Sequence, residues 1–133
     1  MTYLILMFMT FSLLACPDFS GHYRDEDNEI FELKQSDCTK LEWVQPGSQK
    51  LIIIDGKEHE IEREDEVVIY AAALFENQFL KLQMRIDWGS QDSGDLPKNF
   101  IVDYYLDRKG NLIEKQNFGQ SYQLNTYLRV SNQ

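Results

Sequence analysis

The chain has 133 residues, of which 43% are hydrophobic, and its 22 acidic and 13 basic side chains give a formal net charge of −9. This length suits one domain with a single core, and the hydrophobic fraction is that of a globular protein rather than a disordered chain. The acidic balance argues against a nucleic-acid partner, since phosphate contacts need clustered Lys and Arg. Two cysteines exclude a disulfide-dense scaffold or a set of zinc fingers.

The first fifteen residues differ from the rest because they contain no charged side chain and only three polar ones. The apolar run from Tyr3 to Ala15 is too short for a transmembrane helix, which takes about 20 residues, and it fits the helix of a secretory signal. We therefore predict a signal peptide over residues 1–15 and one domain over residues 16–133. The whole net charge belongs to that domain.

The end of the apolar run, Leu13-Leu14-Ala15-Cys16, resembles the lipobox of bacterial lipoproteins. In that family the signal is cut before the cysteine, and the cysteine thiol carries a diacylglyceryl group. The resemblance implies that Cys16 is lipidated and that the protein's first partner is a membrane, which it holds through this N-terminal lipid. It also implies a place in the bacterial cell envelope, on the outer membrane or on the periplasmic face of the inner membrane.

The state of the second cysteine, Cys38, depends on Cys16. If Cys16 is lipidated, Cys38 has no cysteine to pair with and is left as a single thiol. If Cys16 is not lipidated, a disulfide between the two becomes available and closes a loop of 22 residues. The lipobox favours the first alternative.

Alternation of apolar and polar residues is the main pattern after the leader, and it predicts β-strands with one buried face. The clearest run extends from Leu80 to Trp88. The same period appears from Phe100 to Leu106 and from Tyr122 to Val130, where we expect Leu124 and Leu128 to face the interior.

Turn sequences separate these runs and predict short connections between antiparallel neighbours. Asp55-Gly56, between Leu51–Ile54 and Lys57–Ile61, is the strongest signal for a two-residue hairpin. The run Val67–Phe75 contains three alanines but begins with Val-Val-Ile-Tyr, which favours a strand over a helix. The longest connection, Gly89–Lys98, is either a mobile lid or an ordinary solvated loop.

These runs predict an all-β fold, a single antiparallel up-and-down meander of about 8–10 strands in a barrel or a sandwich. A meander after a lipobox resembles the lipocalin-like (calycin) barrels, which bacteria also make as lipoproteins. Gly21-His22-Tyr23 stands where lipocalins carry Gly-x-Trp at the start of the first strand, with Tyr23 in place of the Trp. The resemblance implies a barrel in which Arg129, on the last strand, packs across the Tyr23 ring and closes one end.

Residue types for catalysis are sparse in this chain. The two histidines, His22 and His59, have no nucleophile beside them, and no Gly-x-Ser-x-Gly elbow is present. We therefore predict no catalytic residues, no cofactor and no enzymatic activity. The acidic stretch Asp25–Glu29 offers oxygen ligands for calcium but lacks the spacing of an EF-hand, so we interpret it as a solvated hairpin loop and predict no metal site.

A second acidic pattern consists of Glu58, Glu60, Glu62 and Glu64. In a strand, this period of two places all four carboxylates on one face. That face is either a docking surface for a basic partner or the solvated side of an edge strand, which its charge protects from aggregation. We favour the edge strand.

Aromatic side chains recur along the predicted strands. They fill cores and form cross-strand pairs, but with a few polar groups they also suit a small-ligand pocket in a barrel mouth. The leading functional hypothesis is therefore a membrane-anchored secreted lipoprotein that binds a small apolar or amphipathic ligand. The alternative is a structural or protein-interaction lipoprotein of the envelope, with a barrel filled by side chains and no ligand.

Overall fold

The computed structural model describes residues 16–91, 94 and 97–130. Within this part the chain forms ten β-strands: β1 Gly21–Arg24, β2 Ile30–Ser36, β3 Lys40–Gln45, β4 Ser48–Ile53, β5 Glu58–Glu64, β6 Val67–Glu76, β7 Phe79–Asp87, β8 Asn99–Leu106, β9 Leu112–Asn117 and β10 Tyr122–Val130. The all-β prediction is confirmed, and the predicted signal peptide lies outside the described residues. No helix in the described ranges is long and apolar enough to cross a membrane.

The strands form one antiparallel sheet that closes almost completely into a barrel. Its order is β4-β3-β2-β1-β10-β9-β8-β7-β6-β5, so neighbours along the chain are neighbours in space, and the first strand pairs with the last. Tyr23 stands opposite Arg129 in that closing pair. The up-and-down meander is confirmed, with β4 and β5 as the two edges of an open seam.

The hairpin that Asp55-Gly56 predicts does not form, because the open seam lies between β4 and β5, the two strands that it would pair. The turn itself forms, since Asp55 Oδ1 accepts a hydrogen bond from the Lys57 amide at 2.9 Å. The adjoining amides bond elsewhere: Ile54 donates to the Thr39 carbonyl in the β2–β3 turn at 2.7 Å, and Gly56 donates to the Ala73 carbonyl on β6 at 2.8 Å. An ion pair between Lys50 and Glu62, at 3.2 Å, bridges the two edges.

The interior face of β6, β7 and β8 follows the predicted alternation. Leu80, Leu82 and Val102 are almost fully buried, and the small Ala71 and Ala73 lie beside them on β6. The run Val67–Phe75 is therefore a strand, as predicted, and its alanines allow the larger side chains of β7 to fill this part of the core.

The alternation predicts the wrong face for β10. Leu124 and Leu128 are 50% and 52% exposed, whereas Tyr127, from the other face, packs against the core. The inward positions carry polar side chains with specific partners: Asn125 bonds to the buried Glu114, and Arg129 covers Tyr23. These contacts determine which face of β10 points into the barrel, and it is the face opposite to the one that its apolar residues predict.

The acidic row of β5 also departs from its prediction. Glu58 and Glu60 stand opposite Ala72 and Tyr70, but a β-bulge between Glu60 and Glu62 shifts the register, so that Glu62 stands opposite Ile69. A bulge adds one residue and exchanges the faces beyond it. The carboxylates therefore divide between both faces of an edge strand, and Ile61 packs against the core.

The chain before β1 closes one end of the barrel. Phe19 is completely buried and stacks on Phe75, with 6.1 Å between the ring centroids. Gln35 holds this segment by accepting a hydrogen bond from the Phe19 amide at 2.9 Å and donating one to the Pro17 carbonyl at 2.8 Å. We call this end of the barrel the plugged end.

Candidate ligand-binding site

The end opposite Phe19 contains a pocket of about 230 Å³, which we call the mouth pocket. It lies beside the β1–β2 loop and the β3–β4 turn. Its lining consists of aromatic rings, amides and carboxylates, contributed by Phe31, Trp43, Tyr127, Gln45, Asn125, Asp25, Glu26 and Asp27. The period of two places Phe31, Trp43 and Tyr127 on the interior faces of β2, β3 and β10.

The rings beneath the mouth pocket form one aromatic cluster. Phe31 and Trp43 are stacked, with centroids 4.6 Å apart and ring planes within 7°. Tyr127 stands edge-on to Phe31 at 5.2 Å, and Tyr104 approaches Trp43 at 5.9 Å. Such offset and edge-on pairs stabilise a cluster beyond simple burial, so the pocket has an ordered aromatic wall.

A buried carboxylate, Glu114 on β9, lies under this wall and is only 6% exposed. Its Oε2 accepts a hydrogen bond from the Tyr104 hydroxyl at 2.6 Å. Its Oε1 accepts bonds from Asn125 Nδ2 at 2.9 Å, Gln116 Nε2 at 3.0 Å and the Tyr127 hydroxyl at 3.2 Å. Four neutral donors thus take the place of water around the carboxylate. A buried charge needs such hydrogen bonds, and Glu114 has them.

The β1–β2 loop forms the rim of the mouth pocket. Asp25 holds its shape, because Asp25 Oδ1 accepts hydrogen bonds from the amides of Asp27 and Glu29, both at 2.9 Å. Asn28 adopts a positive φ of 64°, which asparagine tolerates well in a tight turn. In the described ranges no group of three or more His, Cys, Asp or Glu side chains is arranged to hold a metal ion.

Burial raises the pKa of Tyr104 well above its ordinary value, and the negative charge of Glu114 raises it further. The pKa of Tyr127 is also raised, by burial first, then by Glu114, and then by Asp25 and Glu26 on the rim. Both hydroxyls therefore remain protonated donors to Glu114 throughout the physiological range.

We expect Tyr104 and Tyr127 to stay protonated in the folded protein at a pH of about 11, where an ordinary tyrosine is largely ionised. The folded state holds these protons more tightly than the unfolded chain, so the free energy of unfolding should fall as the pH rises above about 10. A titration of tyrosinate absorbance should show a late step coinciding with unfolding, and Tyr127→Phe should reduce its amplitude. Ionisation of every tyrosine before unfolding would contradict this.

The structure brings together the two residues expected to close the barrel, Tyr23 and Arg129. The Arg129 guanidinium carbon lies 5.0 Å from the Tyr23 ring centroid, and Nη2 donates to the Tyr23 hydroxyl at 2.8 Å. Gly21 makes room for this contact, since a Cβ there would lie 2.6 Å from Arg129 Nη1. The pair lies near the plugged end, and neither residue lines the mouth pocket.

The structure places Cys16 in a disulfide with Cys38, with 5.9 Å between the Cα atoms. This is the second of the two alternatives that the sequence leaves open. A sulfur in a disulfide cannot also carry a thioether-linked lipid, so the disulfide form and the lipid-anchored form exclude each other.

The remaining sequence candidates lie apart from the mouth pocket. His59 is bound to Asp55 at 2.9 Å beside the seam turn, and His22 lies 3.9 Å from Glu32. The connection from 89 to 98 is described only in part; within it, the Pro97 carbonyl accepts a hydrogen bond from the Trp88 indole at 3.2 Å.

Glu114 is the residue of the site that sequence reasoning does not find. It lies among Ile113, Lys115 and Gln116, and these neighbours in the sequence do not indicate whether the glutamate is buried or exposed. The chain matches no protein-family model and no curated protein.

Proposed function

We propose that this protein is exported to the bacterial cell envelope and binds a small ligand at the mouth pocket, without catalysing a reaction. The observation that carries the proposal is the pocket itself, in which Phe31, Trp43 and Tyr127 combine with the amides of Gln45 and Asn125. Convergent aromatic and polar groups at a barrel mouth are typical of ligand sites. The apolar leader and the disulfide support export into an oxidising compartment.

The two ends of the barrel differ in a way that favours binding at the mouth. Phe19, Tyr23 and Leu112 are completely buried at and near the plugged end, so side chains fill the barrel interior there. At the mouth, Trp43 and Tyr127 remain partly accessible. No serine, cysteine or histidine is among the residues that line the mouth pocket, and the activity we propose is carriage or sensing.

A second candidate is a structural or interaction protein of the envelope that binds no ligand. It is favoured by the dense filling of the barrel between β6 and β7, where Ala71, Ala73, Leu80 and Leu82 are all buried. In that case the aromatic cluster serves only as core.

Native mass spectrometry of the protein purified from bacterial envelopes distinguishes these candidates. We expect a small-molecule adduct on the wild type and on Trp88→Phe, which changes the only other tryptophan. The adduct should be lost from Trp43→Leu, because that variant removes one wall of the mouth pocket. A wild type without an adduct would favour the second candidate, whereas an adduct that Trp43→Leu retains would place the ligand outside the mouth pocket and contradict the proposed site.

Lipid anchoring through Cys16 stays a proposal alongside either function, supported by Leu13-Leu14-Ala15-Cys16. The intact mass of the envelope-purified protein decides between the two forms of Cys16. A diacylglyceryl adduct at residue 16 identifies the anchored form, whereas a mass that rises by two hydrogens when the same protein is reduced identifies the disulfide form.

A further inference from the structure

We propose that the mouth pocket selects a protonated organic amine, an inference that rests on the ligand-binding function proposed above. The pocket presents hydrogen-bond acceptors, aromatic rings and negative charge to an incoming molecule. Each of these features has a structural cause among the described residues.

The first cause is the buried carboxylate of Glu114. Asn125 and Tyr127, which line the pocket, each donate one hydrogen bond to Glu114 Oε1. The Tyr127 hydroxyl, whose one O–H is engaged, can then only accept a hydrogen bond from a ligand, whereas Asn125 keeps its amide oxygen and one remaining N–H. These two acceptors, with the carboxylate of Glu114 next to them, favour a ligand whose polar part donates.

The second cause is the rim. Asp25 is engaged in holding its loop, but the carboxylates of Glu26 and Asp27 form no ion pair or hydrogen bond within the described ranges. The basic residue nearest in sequence, Arg24, lies on the outer face of β1, because Tyr23 faces inward. Lys50, opposite Trp43 in the β3–β4 ladder, has its ammonium group bound to Glu62 at 3.2 Å.

The aromatic wall supplies the third feature. The faces of tryptophan and tyrosine rings attract cations through their quadrupoles, and the attraction grows where water is excluded. A volume of about 230 Å³ is small, below the range of about 300–1,000 Å³ typical of drug-sized ligands. Together these features fit a short ammonium ion that carries N–H donors, and they disfavour a carboxylate or a phosphate.

The test compares three probes of equal chain length, which are pentylamine, pentan-1-ol and pentanoate, at neutral pH. In the Trp88→Phe protein, Trp43 is the sole tryptophan and reports directly on the pocket. We expect pentylammonium to change Trp43 fluorescence with a Kd at least about tenfold lower than either other probe, and to bind more weakly as salt is added. Equal or tighter binding of the alcohol or the carboxylate would overturn the amine selectivity and leave the mouth pocket as a site for another ligand class.

A matched pair of charge variants locates the effect. Glu26→Gln with Asp27→Asn removes two charges from the rim, whereas Asp37→Asn with Glu76→Gln removes two at the plugged end, one from the β2–β3 turn and one from the end of β6. Both therefore change the net charge equally. We expect the rim variant to raise the Kd for pentylammonium about tenfold and the control to raise it less than twofold.

Equal shifts in the two variants would mean that the amine responds only to the overall charge, and this would overturn the inference. Binding by none of the three probes would overturn it as well. In that case the adduct measured by native mass spectrometry still decides whether the mouth pocket holds a ligand of another class.

Discussion

Replacing Glu114 with leucine should lower the free energy of unfolding by about 3 kcal/mol, although the substitution puts an apolar side chain into a buried position. The reason is that four donors, from Tyr104, Gln116, Asn125 and Tyr127, converge on this carboxylate. Without it, each donor must find water or remain unsatisfied, and the Tyr104 hydroxyl lies deepest in the cluster. Urea unfolding followed by tryptophan fluorescence measures the change.

The matched control for this variant is Glu42→Leu. Glu42 is a strand glutamate outside the core, whose carboxylate accepts one hydrogen bond, from Gln49 Nε2 at 3.1 Å. We expect the control to change the free energy of unfolding by less than about 0.5 kcal/mol. If the two variants unfold at the same urea concentration, Glu114 does not organise the cluster, and the acceptor character of the mouth pocket loses its cause.

The course of the chain through the barrel could be predicted from sequence because it depends on neighbours in sequence. Alternation from Leu80 to Asp87 determines which face of β7 is buried, and the polar turn at Asp107–Asn111 returns the chain beside β8. Each of these signals is local, and each acts between strands that are adjacent both in the chain and in the sheet.

The features that sequence reasoning missed depend on partners far away in the chain. The face of β10 is decided by Glu114 and by Tyr23, which is 106 residues from Arg129. At the seam, the amides of Ile54 and Gly56 donate to carbonyls in the β2–β3 turn and on β6 rather than across a β4–β5 hairpin. A pattern of single residues carries no information about such pairings, so the predicted hairpin at Asp55-Gly56 and the predicted face of Leu124 were both wrong.

The candidate site combines both kinds of feature. Phe31 and Trp43 stand in alternating runs and can be expected to face inward, and Asp25–Glu29 is recognisable as a loop. The position of this loop over those rings could not be predicted, because it depends on the pairing of β1 with β2 and β10. The Tyr23–Arg129 contact, implied by resemblance to a barrel family, belongs to the same closing pair of strands.

Cys38→Ser should lower the free energy of unfolding by about 3 kcal/mol if the protein carries the disulfide, since the bond closes a loop between residues 22 positions apart. The loss should begin in the segment before β1, which the disulfide holds against the β2–β3 turn. Hydrogen exchange at the Phe19 amide, which bonds to Gln35 Oε1, should therefore accelerate more than exchange in β7. Urea unfolding and exchange measured by mass spectrometry check both effects.

Asp37→Asn is the control, because it alters the same turn but keeps both cysteines, and asparagine suits the positive φ of 51° at this position. A reducing agent should lower the stability of the wild type and of Asp37→Asn by similar amounts and leave Cys38→Ser unchanged. If Cys16 carries a lipid instead, Cys38 has no bond to lose, and both Cys38→Ser and the reductant should leave stability almost unaffected. The same variant therefore measures what holds the plugged end closed and whether Cys16 is an internal crosslink or a membrane anchor.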